Sequence, residues 1–387
     1  MKPSRSDKLT AKPSPHGRVL SYSASEPRNP ASDPGPAGPE AGLKGAWTRF
    51  WFAAVDPIGL HVVRLFTGFL LVVWLLLTYA GNMESLIGPQ GWLDTRAFGE
   101  AARLSNGAFS PGWSVVYLGG SNPAALTTIF WASVSILALF ALGFLSRLTA
   151  ILAWVVVASF TANPAFEYEG DALLLILSFY LLIGYVLLGQ RTPGQSWLSR
   201  LLGPLRSWPI SSVEQDEMGQ PRRSVGANLA LRLLQVHFAF VIVTSGLHKL
   251  QFGDWWAGVA LWFPLHPPFK TTLAEALANK PHADTYIALL NIGTYAILAW
   301  QIGFPLFAWR RRWRPVLIGG AIIGWIGAAF VWGLPLIGPA MLIGCLSFVS
   351  PAEWRWVLGR LSRPSKADAG TVAKQQESAS LVTAGQR

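Results

Sequence analysis

Apolar stretches of about 20 residues recur along this chain, each long enough to cross the roughly 30 Å of a bilayer's hydrocarbon. That recurrence makes the chain polytopic and excludes an ordinary soluble domain. The composition agrees, with 51% hydrophobic and 13% charged residues over 387 and a mean hydropathy of +0.37. Its 19 Trp and 27 Pro suit interfacial belts and irregular connections. The formal charge of +11 is spread through the connections between apolar runs, a topology pattern that excludes nucleic acid as a partner. Cys345 is the sole cysteine and sits in an apolar run, so there is no intramolecular disulfide, CxxC motif or thiolate metal site.

In order, residues 1–45 are rich in Pro, Ser, Gly and Ala with scattered bases; they read as a disordered tail without a signal peptide. Leu43–Val55 mixes aromatics and bases, as an interfacial helix or the first turns of span one would. Asp56-Pro57 is a helix start, with Asp as the cap. Spans are expected at about Ile58–Ala80, Pro123–Phe144, Leu148–Ala162, Ala172–Leu188, Asn228–Lys249, Thr285–Trp309, Pro315–Val331 and Leu334–Val349. Arg64, two turns inside the first, is expected to snorkel to the interface. The membrane domain covers 46–350 and includes a polar, basic linker at 190–227. A basic and then polar tail, 351–387, follows.

Eight spans put both termini on one side, and the charges test this. Lys and Arg crowd the N-terminal tail, the turn at Arg147, the middle linker, the Arg310–Arg314 run and the C-terminal tail. Arg96, Arg103, Lys270 and Lys280 alone remain in the opposite connections. Lys and Arg favour the cytoplasmic side, so both termini are expected there, in the cell inner membrane. The entry to span four (Glu169, Asp171) and the exit of span five (His248, Lys249, Asp254) then share the outer face with two long connections, 81–122 and 251–284. A site facing the periplasm needs this grouping.

The exit of span five is the centre of that grouping. Asn228–Trp262 begins as an apolar helix and ends in Ser245, Gly246, His248, Lys249, Gln251, Asp254, Trp255, Trp256 and Gly258. Lys249 is either a functional group or a lysine that snorkels beside a tryptophan belt. Helical spacing aligns Ser245, Ile242, Phe238 and Gln235 with it. That line suits an amphiphile lying along the helix, and it suits ordinary helix packing. Asp171 either favours the positive end of its helix or partners Lys249. Trp255 and Trp256 are belt residues or a ligand's aromatic wall. His248 points about 100° away from Lys249, and His237, deep in the span, reads as a hydrogen-bonded packing residue.

Four segments in order resemble the horizontally transferred transmembrane (HTTM) family, which includes the membrane domain of vitamin K-dependent gamma-carboxylases. They are DPIGLHVVRLFTGFLLVVW (Asp56–Trp74), ALGFLSRLTAILAW (Ala141–Trp154), NPAFEYEGDALLLILSFYLL (Asn163–Leu182) and SGLHKLQFGDWWAGVALW (Ser245–Trp262). The likeness covers roughly residues 50–350. It implies that Lys249 matches the lysine serving the carboxylases as a weak base toward reduced vitamin K. An apolar setting disfavours the ammonium and leaves an amine able to accept a proton. Two departures speak against glutamate carboxylation. Asp171 stands where the carboxylases have a histidine at span four, and Trp325 where they have one in the penultimate span. No large domain follows the last span either.

The sequence therefore predicts an all-α, polytopic helical bundle of about eight spans. Lys249 and Asp171 are its catalytic candidates, and Trp255, Trp256, Ser245 and Gln235 would bind a quinone or hydroquinone-like or lipidic cofactor. The alternatives are a non-catalytic factor binding membrane lipid, quinone or an exported peptide, and, last, a transporter, which would want ionisable groups through its midplane. No metal-ligand spacing is present.

Overall fold

The computed structural model describes residues 42–92, 94–104, 114–119, 122–162, 169–188, 223–266, 272–278 and 281–361. It is helical, as the apolar runs require, because hydrocarbon offers no partner to a bare peptide group. In chain order the helices are α1 (Leu43–Phe52), α2 (Ile58–Tyr79), α3 (Met83–Ile87), α4 (Thr95–Leu104), a 3-10 turn at Val115–Gly119, α5 (Pro123–Leu142), α6 (Ser146–Thr161) and α7 (Glu169–Leu187). Then come α8 (Val225–Lys249), α9 (Gly253–Trp256), α10 (Trp262–Leu265), α11 (Leu273–Ala278), α12 (Ala283–Phe307), α13 (Arg314–Phe330), α14 (Ile337–Leu346) and α15 (Pro351–Leu361). The bundle described here belongs to the unit that starts at Trp47.

Five helices (α2, α5, α7, α8 and α12) are long and apolar enough to cross a bilayer, so this is a multi-pass membrane protein. Two of the expected spans, α6 and α13, are shorter apolar helices of 16 and 17 residues. The last expected span, Leu334–Val349, is only partly helical. α14 has 10 residues, and the chain then bends by 107° into α15. Counted as one bent span, α14 and α15 make a sixth crossing. Pro335 and Pro339 flank the short helix's start. The beginning of the expected basic tail is thus helical, and residues 362–387 lie outside the described residues, as do 1–41 and most of the 190–227 linker.

α2 is the axis of the bundle: Leu60, Val63, Leu71, Trp74 and Leu75 are buried, and it packs against α5, α7, α8, α14 and α15. Gly68 admits α5, because a Cβ there would stand 2.6 Å from the Cα of Ala141. α2 and α8 start at the same end, where Val55 and Ser224 exchange backbone hydrogen bonds of 3.1 and 2.8 Å. The Ser224 hydroxyl caps α8 by accepting from the Ala227 amide. α1 is a separate helix and not the first turns of span one. Its last turn is held by Asn228, which donates to the carbonyls of Phe50 and Trp51 at 3.0 Å each. α7 runs antiparallel to α8, with Leu187 beside Gly226 and Tyr180 bonded to His237.

The largest departure concerns Arg64. It is fully buried, at 0% exposure, and does not reach an interface. Its guanidinium lies 5.5 Å from the Tyr185 ring centre, against the turn between α5 and α6. That turn is shaped for it. Gly143 adopts φ +82°, and a Cβ on Gly143 would lie 2.5 Å from the guanidinium. Tyr185 completes the group through a 2.7 Å bond with His61 Nδ1. The Tyr185 ring and the Gly143 turn enclose the guanidinium, so the side chain does not extend to the nearby helix start.

Gly143→Ala is therefore expected to cost about 1–3 kcal/mol, since it combines a strained φ with an overpacked guanidinium. Thermal unfolding of the detergent-solubilised protein checks this. Gly319→Ala, where nothing lies within 4 Å of the new methyl, should leave the midpoint unchanged or raise it.

Candidate functional site

At the end of the bundle where α2 and α8 finish and α7 begins, the polar residues expected from the sequence do assemble, but not as one pair. Lys249 is the last residue of α8. Its side chain turns back along the helix, as a side chain four residues on must, and donates to Ser245 Oγ at 2.8 Å and to the Ser245 carbonyl at 3.4 Å. The ammonium sits 5.4 Å from the centre of the Trp255 ring. Among the described residues no carboxylate lies within ion-pair distance of Lys249. It is half-buried, held by a hydroxyl and an aromatic face. Ser245 and Trp255 thus both adjoin the Lys249 amine.

Asp171 lies in the first turn of α7 and is buried, at 4% exposure. It accepts a 3.0 Å hydrogen bond from Trp74 Nε1, itself fully buried in α2 beside Tyr79 and Phe160. Tyr79 in turn donates to the Phe160 carbonyl at 2.9 Å. The aspartate is therefore directed toward α2 and ties α7 to it. Antiparallel pairing of α7 with α8, in register at Tyr180 and His237, places Asp171 about one turn short of Lys249 in depth. The two share a level and have different partners.

Trp256 is a strut. Its indole donates to the Leu250 carbonyl at 2.6 Å, and its own carbonyl accepts from Tyr295 Oη at 2.6 Å, fastening α9 to α12. Gln235 lies far from the others, about 21 Å along α8 from Lys249. It accepts from Arg232 at 2.8 Å and from Trp309 at 3.2 Å, and donates to the Ser347 carbonyl at 2.7 Å. Its amide oxygen and one N–H join α8 to the ends of α12 and α14. Between them Phe238 packs on Gly344, and Ile242 is enclosed with Phe304, Leu317 and Cys345. The line of residues below Lys249 is engaged in helix packing, one of the two readings its spacing allows.

The two long connections fold onto this same end in part. Ser114 donates to the Ser159 carbonyl at 2.7 Å, bringing the first against α6. In the second, Trp262 stacks on His266 at 3.5 Å, and both meet Tyr286 of α12 edge-on. His248 is exposed and meets Phe252 edge-on at 5.3 Å, facing away from Lys249 as its helical angle predicts. Trp325 packs its ring on Gly338 of α14.

Sequence reasoning missed the opposite end, where the ionic cross-links gather. Glu353 binds Arg314 at 2.6 Å and Arg311 at 3.1 Å, and Asp56 pairs with Arg355 while accepting from the Ile58 amide at 3.1 Å. The signal available was the run of arginines at Arg310–Arg314 facing an acid in the first turn of a helix that had been read as tail. No protein-family model matches the chain, and comparison with curated proteins and with solved structures returned no match.

The Trp74–Asp171 bond makes a sharp prediction. Trp74→Phe should cost about 1–3 kcal/mol, because it withdraws a donor from a buried carboxylate. In an Asp171→Ala background the same substitution should cost measurably less, a coupling read from unfolding midpoints of the four proteins.

Proposed function

We propose that this protein is an HTTM-like membrane scaffold whose Lys249 acts as a base toward a quinol-like or lipidic cofactor at the outer membrane face. The observation that carries the reading is the setting of the amine: half-buried, 2.8 Å from Ser245 Oγ, over Trp255, and with no carboxylate in ion-pair range among the described residues. A charged lysine is stabilised by a counter-ion; an amine held by a hydroxyl and an indole face can give up its proton more readily. It would take a proton from a hydroquinone hydroxyl, leaving the ammonium bonded to Ser245 and a hydroquinone anion beside Trp255. Asp171 then serves as a positioning residue for the α2–α7 wall. Glutamate carboxylation is not part of this reading, given Asp171 and Trp325 where the carboxylases have histidines.

A second reading rests on the same amine. A lysine without a counter-ion also suits a clamp for the anionic head of a lipid or the carboxylate of an exported peptide. The two separate on substitution, because arginine is always charged: it can replace a clamp and cannot replace a base.

Small molecules that co-purify with the detergent-solubilised protein should include a quinone or related lipid, in smaller amount with Lys249→Ala. Mass spectrometry of wild type beside the variant measures this, and equal lipid on both would remove the site. Lys249→Arg retaining the ligand would favour the clamp. For orientation, we expect a reporter active only in the cytoplasm to work when fused after Arg387, and to be silent when inserted at Gly91 in the first long connection.

A further inference from the structure

We propose that the flank of α6, α7 and α8 centred on Tyr180 and His237 binds a planar, lipid-soluble molecule bearing a carbonyl acceptor, of the quinone class. His237 stands midway along Val225–Lys249, about 18 Å from either end of α8 and so near the middle of the hydrocarbon. Its Nδ1 is 2.8 Å from the Tyr180 hydroxyl. Among the described residues neither side chain makes another hydrogen bond.

A donor count then follows from the chemistry alone. A neutral histidine carries one N–H and a tyrosine one O–H, and their mutual bond uses one of the two. If the tyrosine donates, the Nε2 hydrogen is spare; if the imidazole donates, the phenol hydrogen is spare. Either tautomer leaves one donor, and both residues are partly exposed on the bundle's surface. A spare donor in hydrocarbon is costly, and hydrocarbon tails supply no acceptor. Phospholipid esters stay near the interface, a half-thickness away. The acceptor must therefore belong to something that dissolves in the bilayer interior.

The surroundings choose between a ligand ring and a protein helix. Phe179 is 42% exposed and Phe240 64% exposed on either side of the pair. The Trp154 ring lies 6.2 Å from Phe179, extending the aromatic surface onto α6. Helices that dock in membranes meet through small residues that let backbones approach, and this flank is lined by bulky rings tilted to one another. Flat aromatic faces beside one donor suit a conjugated ring with a carbonyl at its edge. The site goes beyond the Lys249 reading and does not depend on it, since about 18 Å of helix separates the two.

The test is photolabelling of the full chain in phosphatidylcholine nanodiscs with an azido-substituted decylbenzoquinone, competed by decylubiquinone and mapped by peptide mass spectrometry. Competed label should fall on peptides of α6, α7 and α8 around Trp154, Phe179 and Phe240. His237→Leu should lower it about tenfold, whereas His237→Gln, which keeps an N–H, should retain most of it. Lys249→Ala should leave it unchanged, so this site and the Lys249 site fail separately. Label on these peptides that is unaffected by His237→Leu, or competed label absent from them, overturns the proposal. So does a His237-dependent dimer in native mass spectrometry without competed label, which would make the flank a contact between two copies.

Discussion

The structure depends on one constraint: inside a bilayer a charged side chain cannot rely on water and has to be accommodated by the protein around it. Arg64 shows this most plainly. An arginine two turns into a span has the length to reach the interface, yet this one is sealed between α2, the Gly143 turn and Tyr185. The left-handed φ of Gly143 exists at the place where any side chain would strike the guanidinium. Around that fixed group α2 becomes the axis, and α5, α7 and α14 are arranged on its faces.

The same constraint divides the molecule into two ends of different character. Where α2 and α8 begin, polar groups are cross-linked in opposite-charge or amide pairs: Asp56 with Arg355, Glu353 with Arg311 and Arg314, and Gln235 with Arg232, Trp309 and Ser347. These are fastenings. Where α2 and α8 finish, the acid and the base are kept apart in their bonding. Asp171 is spent on Trp74, and Lys249 on a serine of its own helix and an indole face. Two costly groups at nearly the same depth are thus separated, and among the described residues the amine has no carboxylate partner.

Much of the fold was legible because helical spans are written in runs of single residues. The starts of α5 at Pro123 and of α13 beside Pro315, and the short α6, lie where the apolar runs put them. Leu334–Val349 misled because apolar composition does not report helix length, and the chain leaves the helix at Leu346 to turn into α15. Arg64 misled because snorkelling is judged from depth alone, while its burial depends on Tyr185, more than a hundred positions away, and on the backbone of Gly143. At the site, Ser245 and Trp255 were legible from helical spacing and proximity to Lys249. Gln235 shares that spacing yet is claimed by Trp309 and Ser347, partners that no periodicity in α8 could announce. The Trp74–Asp171 bond, between residues 97 positions apart, is of the same kind.

The central claim is that the Lys249 amine reaches its deprotonated form under working conditions. Its most direct test is the rate of acetylation at neutral pH by a membrane-permeant amine reagent, followed residue by residue by mass spectrometry, with the exposed Lys44 as the internal reference. The account predicts that Lys249 reacts at least as fast as Lys44 despite its burial. A Lys249 that stays unmodified at neutral pH and reacts only in alkaline medium, as an ordinary ammonium does, would contradict it.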